Sequence, residues 1–216
     1  MDRIGSAARE FVYPVGRVVA GYLSDQDFKF AEGKMDPAQV CDYAAKTNNI
    51  GLLQWARVQD PPLPWNESAC DAAIEHDNLD ILKWLMDPNT GGGACPARYC
   101  CEKIAKFGSI RLMEWARSPE QGPVPWGAAC SYAAECGRIH MLEWLRDPST
   151  GGGICPWSLA SHPCIDAAYS GQLDALKWLR DPNTGGGMCP WEADECMRYA
   201  AAGGHPNIIA WIQTTR

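Results

Sequence analysis

Eleven cysteines, four histidines, ten tryptophans and three Gly-Gly-Gly runs are the residues of this 216-residue chain with the chemistry to bind, react or cradle a ligand. Zinc takes four converging ligands, usually supplied as close pairs such as Cys-x-x-Cys. No such pair occurs: the densest group is Cys95, Cys100 and Cys101, and the remaining cysteines follow a longer period. Nucleophilic catalysis would need a thiol beside a base, as in Cys136 with His140, but Gly137 places a turn between them and no third residue orients the ring. The glycine runs, such as Gly91-Gly92-Gly93, lead into Cys-Pro, where a phosphate loop would need Gly-Lys-Ser or Gly-Lys-Thr opening a helix. They read as turn tips. Tryptophans can stack bases or sugars, yet six of them fall on an apolar helical stripe and are expected in the core. No catalytic residue, metal site or cofactor is therefore expected. A metal-binding or cysteine-dependent protein is the alternative reading of the clustered thiols.

What positions these residues is a repeat. Trp55, Trp84, Trp115, Trp144, Trp178 and Trp211 recur every 29 to 34 residues, a spacing typical of helical repeats. Each follows a cysteine (Cys41, Cys70, Cys101, Cys130, Cys164, Cys196) by fourteen residues, or fifteen in the last unit, where Gly203-Gly204 carries an extra residue. Between them lie alanine pairs such as Ala133-Ala134 and then a turn residue: Asn48, Asp77, Gly108, Gly137, Gly171 or Gly204. These types tolerate a positive φ, so each marks a helix ending in a tight turn. Apolar residues at helical spacing follow, for instance Ile139, Met141, Leu142, Trp144 and Leu145. Each unit thus reads as a short helix, a turn, a second helix and a linker stopped by proline. In the linkers Cys95, Cys155 and Cys189 precede a proline, and Trp65, Trp126, Trp157 and Trp191 follow one, expected to pack between units. An insertion, Ser158 to Pro163, ahead of Cys164 predicts a late start for the fifth unit's first helix.

The pattern Cys130-x-x-Ala133-Ala134-x-x-Gly137-x-Ile139-x-Met141-Leu142-x-Trp144-Leu145 resembles the ankyrin repeat, and it recurs in six units. The Cys-Pro-Trp linker and the Lys-Trp-Leu or Glu-Trp-Leu second helix are similar to a divergent branch of that family found in protists, algae and large DNA viruses. The resemblance implies an all-α, ankyrin-like helical repeat solenoid of about six helix-turn-helix units with hairpin-like loops. The units would run over 37–63, 64–95, 96–124, 125–155, 156–189 and 190–216, with 1–35 a degenerate capping repeat, because a terminal layer must replace one apolar face by a polar one. The family's Thr-Pro-Leu-His opening is missing: its histidine position carries Asp42, Asp71, Glu102, Ser131, Ile165 or Met197. The hydroxyl and imidazole bonds that tie adjacent loops in the family are not expected to carry over.

The resemblance also implies a binding face. One residue per unit takes the family's contact position, Tyr43, Ala72, Lys103, Tyr132, Asp166 and Arg198, and one turn further on lie Lys46, Glu75, Lys106, Glu135 and Tyr169. Tyrosine and arginine are frequent interface anchors, which favours Tyr43, Tyr132, Tyr169 and Arg198. The function so implied is a non-enzymatic protein-protein interaction module or scaffold, with a protein partner on the concave face and loop tips. A substrate adaptor with a docking segment at its N-terminus is a further alternative.

Composition points the same way, since 46% hydrophobic with 21% charged residues is globular. A net charge of −7 with no basic run argues against nucleic acid and anionic membranes. The apolar stretch from Phe11 to Leu23 is broken by Pro14 and Arg17 and is shorter than the ~20 residues that span a bilayer. It does not read as a secretory signal either. The expectation is a cytoplasmic, intracellular monomer whose thiols act as small buried hydrophobes.

Overall fold

The computed structural model describes residues 37–59, 62–63, 67–89, 97–118, 126–150, 154–157, 162–184 and 189–215. The expected capping segment, Trp65, Cys95 and the three Gly-Gly-Gly runs lie outside the described residues. Among the described residues the regular elements are twelve α-helices, with no strand. They come in pairs: α1 (Pro37–Lys46) with α2 (Ile50–Arg57), α3 (Glu67–Glu75) with α4 (Leu79–Met86), and α5 (Ala97–Phe107) with α6 (Ile110–Ala116). Then follow α7 (Ala129–Glu135) with α8 (Ile139–Arg146), α9 (Pro163–Tyr169) with α10 (Leu173–Arg180), and α11 (Ala193–Gly203) with α12 (Pro206–Thr215). The late start of α9 agrees with the insertion read from the sequence. Two compact units divide the chain, Met1–Cys95 holding α1 to α4 and Pro96–Arg216 holding α5 to α12.

Each first helix ends because one residue turns left-handed. Asn48 and Asp77 have φ of 55°, and Gly108, Gly137, Gly171 and Gly204 lie between 65° and 86°. The next amide then folds back onto the helix it has just left: Asn49, Asn78, Arg138, Gln172 and His205 donate to the carbonyls of Ala44, Ala73, Ala133, Ala167 and Ala200, each at 2.8 Å. This satisfies carbonyls that a helix end leaves without partners. Asn49 and Ser109 also cap the second helix of their own pair, their side chains accepting from the amides of Leu52 and Leu112 at 3.0 and 3.1 Å.

First helices bury a small-residue face at positions i, i+1, i+4 and i+5, such as Val40, Cys41, Ala44 and Ala45, or Ala129, Cys130, Ala133 and Ala134. Small side chains let helices approach closely, and the first helices accordingly stack on one another. In the first unit α3 lies against α1. In the second unit α7 lies between α5 and α9, and α9 against α11. Second helices bury the larger residues, Leu52 and Leu53, Ile81, Leu82 and Leu85 in the first unit, and Leu112 and Met113, Met141, Leu142 and Leu145, Leu176 and Leu179 in the second. Fully burying such a side chain contributes about 1.5–3 kcal/mol, so the second helices supply most of the hydrophobic stabilisation.

Side chains also tie successive layers. One acid reaches forward in each of two layers: Asp42 accepts from the Ser68 hydroxyl at 2.5 Å, and Glu102 from the Ala128 amide at 3.1 Å. The residue after the left-handed turn reaches backward. Asn78 donates to the carbonyls of Ala45 and Lys46 at 2.7 and 3.0 Å, Arg138 to that of Lys106 at 3.2 Å, and His140 Nε2 meets the Gly108 carbonyl at 2.9 Å.

The helix tryptophans depart from the sequence expectation of a core position, whereas the described linker tryptophans pack between successive pairs as expected. Among the described residues only Trp144 of the tryptophans is buried, whereas Trp55, Trp84, Trp115, Trp178 and Trp211 are half-buried, as are Trp126, Trp157 and Trp191. Arginines at the C-terminal ends of the second helices offer a flat polar partner to the linker rings. Arg117 lies over Trp126, Arg146 over Trp157 and Arg180 over Trp191, with guanidinium-to-ring distances of 3.9, 4.0 and 4.5 Å. Trp126 also meets Trp144 edge-on at 6.3 Å, and Trp191 meets Trp211 at 6.2 Å. A linker tryptophan is thus held between the arginine of the preceding pair and, in these two cases, the helix tryptophan of its own.

Candidate recognition surface

Among the described residues no group of three or more His, Cys, Asp or Glu side chains gathers as a metal site would. His140 is engaged with the Gly108 carbonyl, and burial pushes the Cys136 thiol up, the reverse of what activates a nucleophile. Cys41 and Cys101 are pushed up to about 11, also by burial. Among the described residues no helix is long and apolar enough to cross a membrane.

What the first helices leave uncovered is the face opposite their alanines. In the first unit it carries Tyr43, half-buried, with Lys46 and Glu75 exposed and Ala72 half-buried. In the second unit Lys103, Lys106, Tyr132, Glu135 and Asp166 are all half-buried, while Tyr169 and Arg198 are exposed. Burial raises the Asp166 carboxyl, against the pull of the Ser131 hydroxyl and His162. Along the second unit the face runs from two lysines, through two acids, to tyrosines.

The last layer corrects the register. Counted from the cysteine, Arg198 takes the position of Tyr132. Counted from the turn, where His205 bonds to Ala200 as Arg138 bonds to Ala133, Tyr199 takes it. The extra residue in α11 lies before the turn, so Cys196 falls in the register of Ala129 rather than Cys130. Arg198 stands one residue off, paired with Glu195 at 2.7 Å and lying 5.6 Å from the Tyr199 ring. Tyr199 was missed because the count began at the wrong end. The signal was present, since the glycine turn is the fixed point of every unit.

The structure brings Tyr169 and Tyr199 together edge-to-face at 6.4 Å, although both remain exposed, at 54% and 39%. Among the described residues four large hydrophobic side chains are exposed, Val58, Ile154, Tyr169 and Tyr199, and these two tyrosines touch. With Arg198 and Glu195 they form an aromatic patch with a charged border. Neither a protein-family model nor a curated protein matches this chain.

Proposed function

We propose that the chain is a non-enzymatic, ankyrin-type repeat solenoid that binds a protein partner across the uncovered face of its first helices. The observation that carries this reading is the exposed Tyr169–Tyr199 pair beside Arg198, because clustered, solvent-facing aromatic side chains mark interaction sites more often than scattered ones do. The resemblance to ankyrin repeats supplies the rest of the footprint in this unit, Lys103, Lys106, Tyr132, Glu135 and Asp166, and marks Tyr43, Lys46 and Glu75 as the corresponding positions of the other unit. Both signs of charge on one face favour a partner with mixed charge over a polyanion.

The test uses the full chain as bait, then titrates the recovered partner against wild type and the Tyr169→Ala/Tyr199→Ala variant, with circular dichroism confirming equal helicity. Affinity is expected to fall at least about thirtyfold, the loss that removing a hot spot worth about 2 kcal/mol implies. Val58→Ser, exposed in the other unit, is expected to bind as wild type does. Equal affinity of the double variant would remove the basis for this face.

A further inference from the structure

The linker cysteines do not stand apart from the helix cysteines. Cys130 donates to Cys155, sulfur to sulfur, at 2.9 Å, and both are buried. In the next layer Cys164 and Cys189 occupy the same two register positions, both are buried, and each shifts the other's titration in the sense seen for Cys130 and Cys155. The two pairs share one sequence spacing of 25 residues. In the second helix pair Cys70, in the same register, is disulfide-bonded. Cys41 and Cys101 occupy the register too, but the short linkers that follow them contain no cysteine. A thiol acting only as a small hydrophobe would not need a second thiol in contact, repeated wherever a long linker exists.

We propose that Cys130–Cys155 and Cys164–Cys189 are redox modification sites, each closing to a disulfide that staples a long linker to the first helix of its own layer. Closing the first requires a shift of roughly 0.9 Å, from the 2.9 Å contact to the ~2.05 Å of a disulfide. The oxidant is a low-molecular-weight disulfide such as oxidised glutathione. Cys155 attacks one of its sulfurs as thiolate, the small disulfide bond breaks, one small thiol leaves and a mixed disulfide forms. Cys130 then loses its proton and attacks the Cys155 sulfur, forming the protein disulfide and releasing the second small thiol. Two protein thiols are oxidised and one small disulfide is reduced, so electrons and protons balance. Cys155 and Cys189 suit the attacking role. The hydrogen bond from the partner thiol pulls each down, helped by the nearby Arg146 and Arg180 guanidinium groups. Cys130 and Cys164, the donors, are held up by that same bond and by burial. The linker must open transiently for the oxidant to enter, which makes the reaction slow but places it under the thiol poise of the compartment.

The test equilibrates the full chain in glutathione buffers of graded potential, traps thiols with an alkylating agent under denaturation, and maps linked peptides by mass spectrometry. Besides the link that Cys70 already makes, two linked pairs, 130 with 155 and 164 with 189, are expected under oxidising conditions, each with loss of two hydrogen masses. The melting temperature is expected to rise by at least about 4 °C and to return on reduction. Cys155→Ser and Cys189→Ser should each abolish one link and leave the other, while Cys101→Ser leaves both. Unchanged thiol counts in wild type, or links joining Cys130, Cys155, Cys164 or Cys189 to other partners, such as 101 with 155, would overturn the proposal without any variant having to fold.

Discussion

Arg146→Ala is expected to lower the unfolding free energy of the Pro96–Arg216 unit by about 3 kcal/mol, more than a surface arginine would. Arg146 is 6% exposed and does two things at once. Its Nη1 donates to the Cys155 carbonyl, and its guanidinium lies 4.0 Å from the Trp157 ring centre. Alanine leaves that carbonyl in a buried setting without its charged donor, which costs about 1–3 kcal/mol, and removes the stacking on top. Arg180 repeats the arrangement, with 2.5 Å to the Cys189 carbonyl and 4.5 Å to Trp191, so it is a property of the linker and no local accident. Lysine keeps the charge but lacks the planar fork, and Arg146→Lys is expected to lose most of the same stability. Urea titration followed by circular dichroism reads both. A loss under about 0.5 kcal/mol, the range of ordinary surface substitutions, would show that the linker is not anchored there.

Gly203→Ala has the second largest expected effect. An added Cβ would stand 2.1 Å from the Tyr169 carbonyl oxygen and 2.8 Å from the His205 ring. The carbonyl belongs to the backbone of α9 and cannot swing aside, so α11 and α9 must move apart. Overpacking of this kind costs about 3 kcal/mol, at the upper end of its usual range. The readout is not stability alone. Tyr169 is the residue whose carbonyl is struck, so the Tyr169–Tyr199 edge contact should open and the tyrosine signals in near-ultraviolet circular dichroism should change. Gly203→Ala that melts like wild type, with unchanged near-ultraviolet signal, would contradict the close approach of these helices.

How much of this was legible in the sequence depended on which feature each residue reports. Turn residues report a local backbone need, a positive φ, and all six stand where the types Gly, Asn and Asp placed them. The alternation of small first helices with Leu-rich second helices is equally local. The register of Tyr199 failed because α11 holds one extra residue, and a cysteine-based count carries that error forward while a turn-based count does not. The tryptophans were misjudged for a different reason. A helical stripe shows which side of a helix is apolar, but not how deeply its indole sinks, nor that the arginine at the helix end will lie over the tryptophan of the following linker. Arg146 to Cys155 and Arg180 to Cys189 are each nine residues apart, and Cys130 to Cys155 twenty-five. Those spacings were in view as numbers, and only the fold-back made them contacts. The forward and backward ties of Asp42, Glu102, Asn78 and Arg138 were hidden in the same way, since each joins residues 26 to 33 positions apart.

The central claim is that thiols, alanines and leucines are consumed between layers while recognition falls to the uncovered side chains of the first helices. Hydroxyl-radical footprinting of the full chain, alone and with its captured partner, tests this most directly because it reads each tyrosine separately. Tyr132, Tyr169 and Tyr199 are expected to lose reactivity together on binding, while exposed Val58 and Ile154 keep theirs. Protection confined to the linkers and second helices, with Tyr169 and Tyr199 as reactive in the complex as in the free chain, would contradict it.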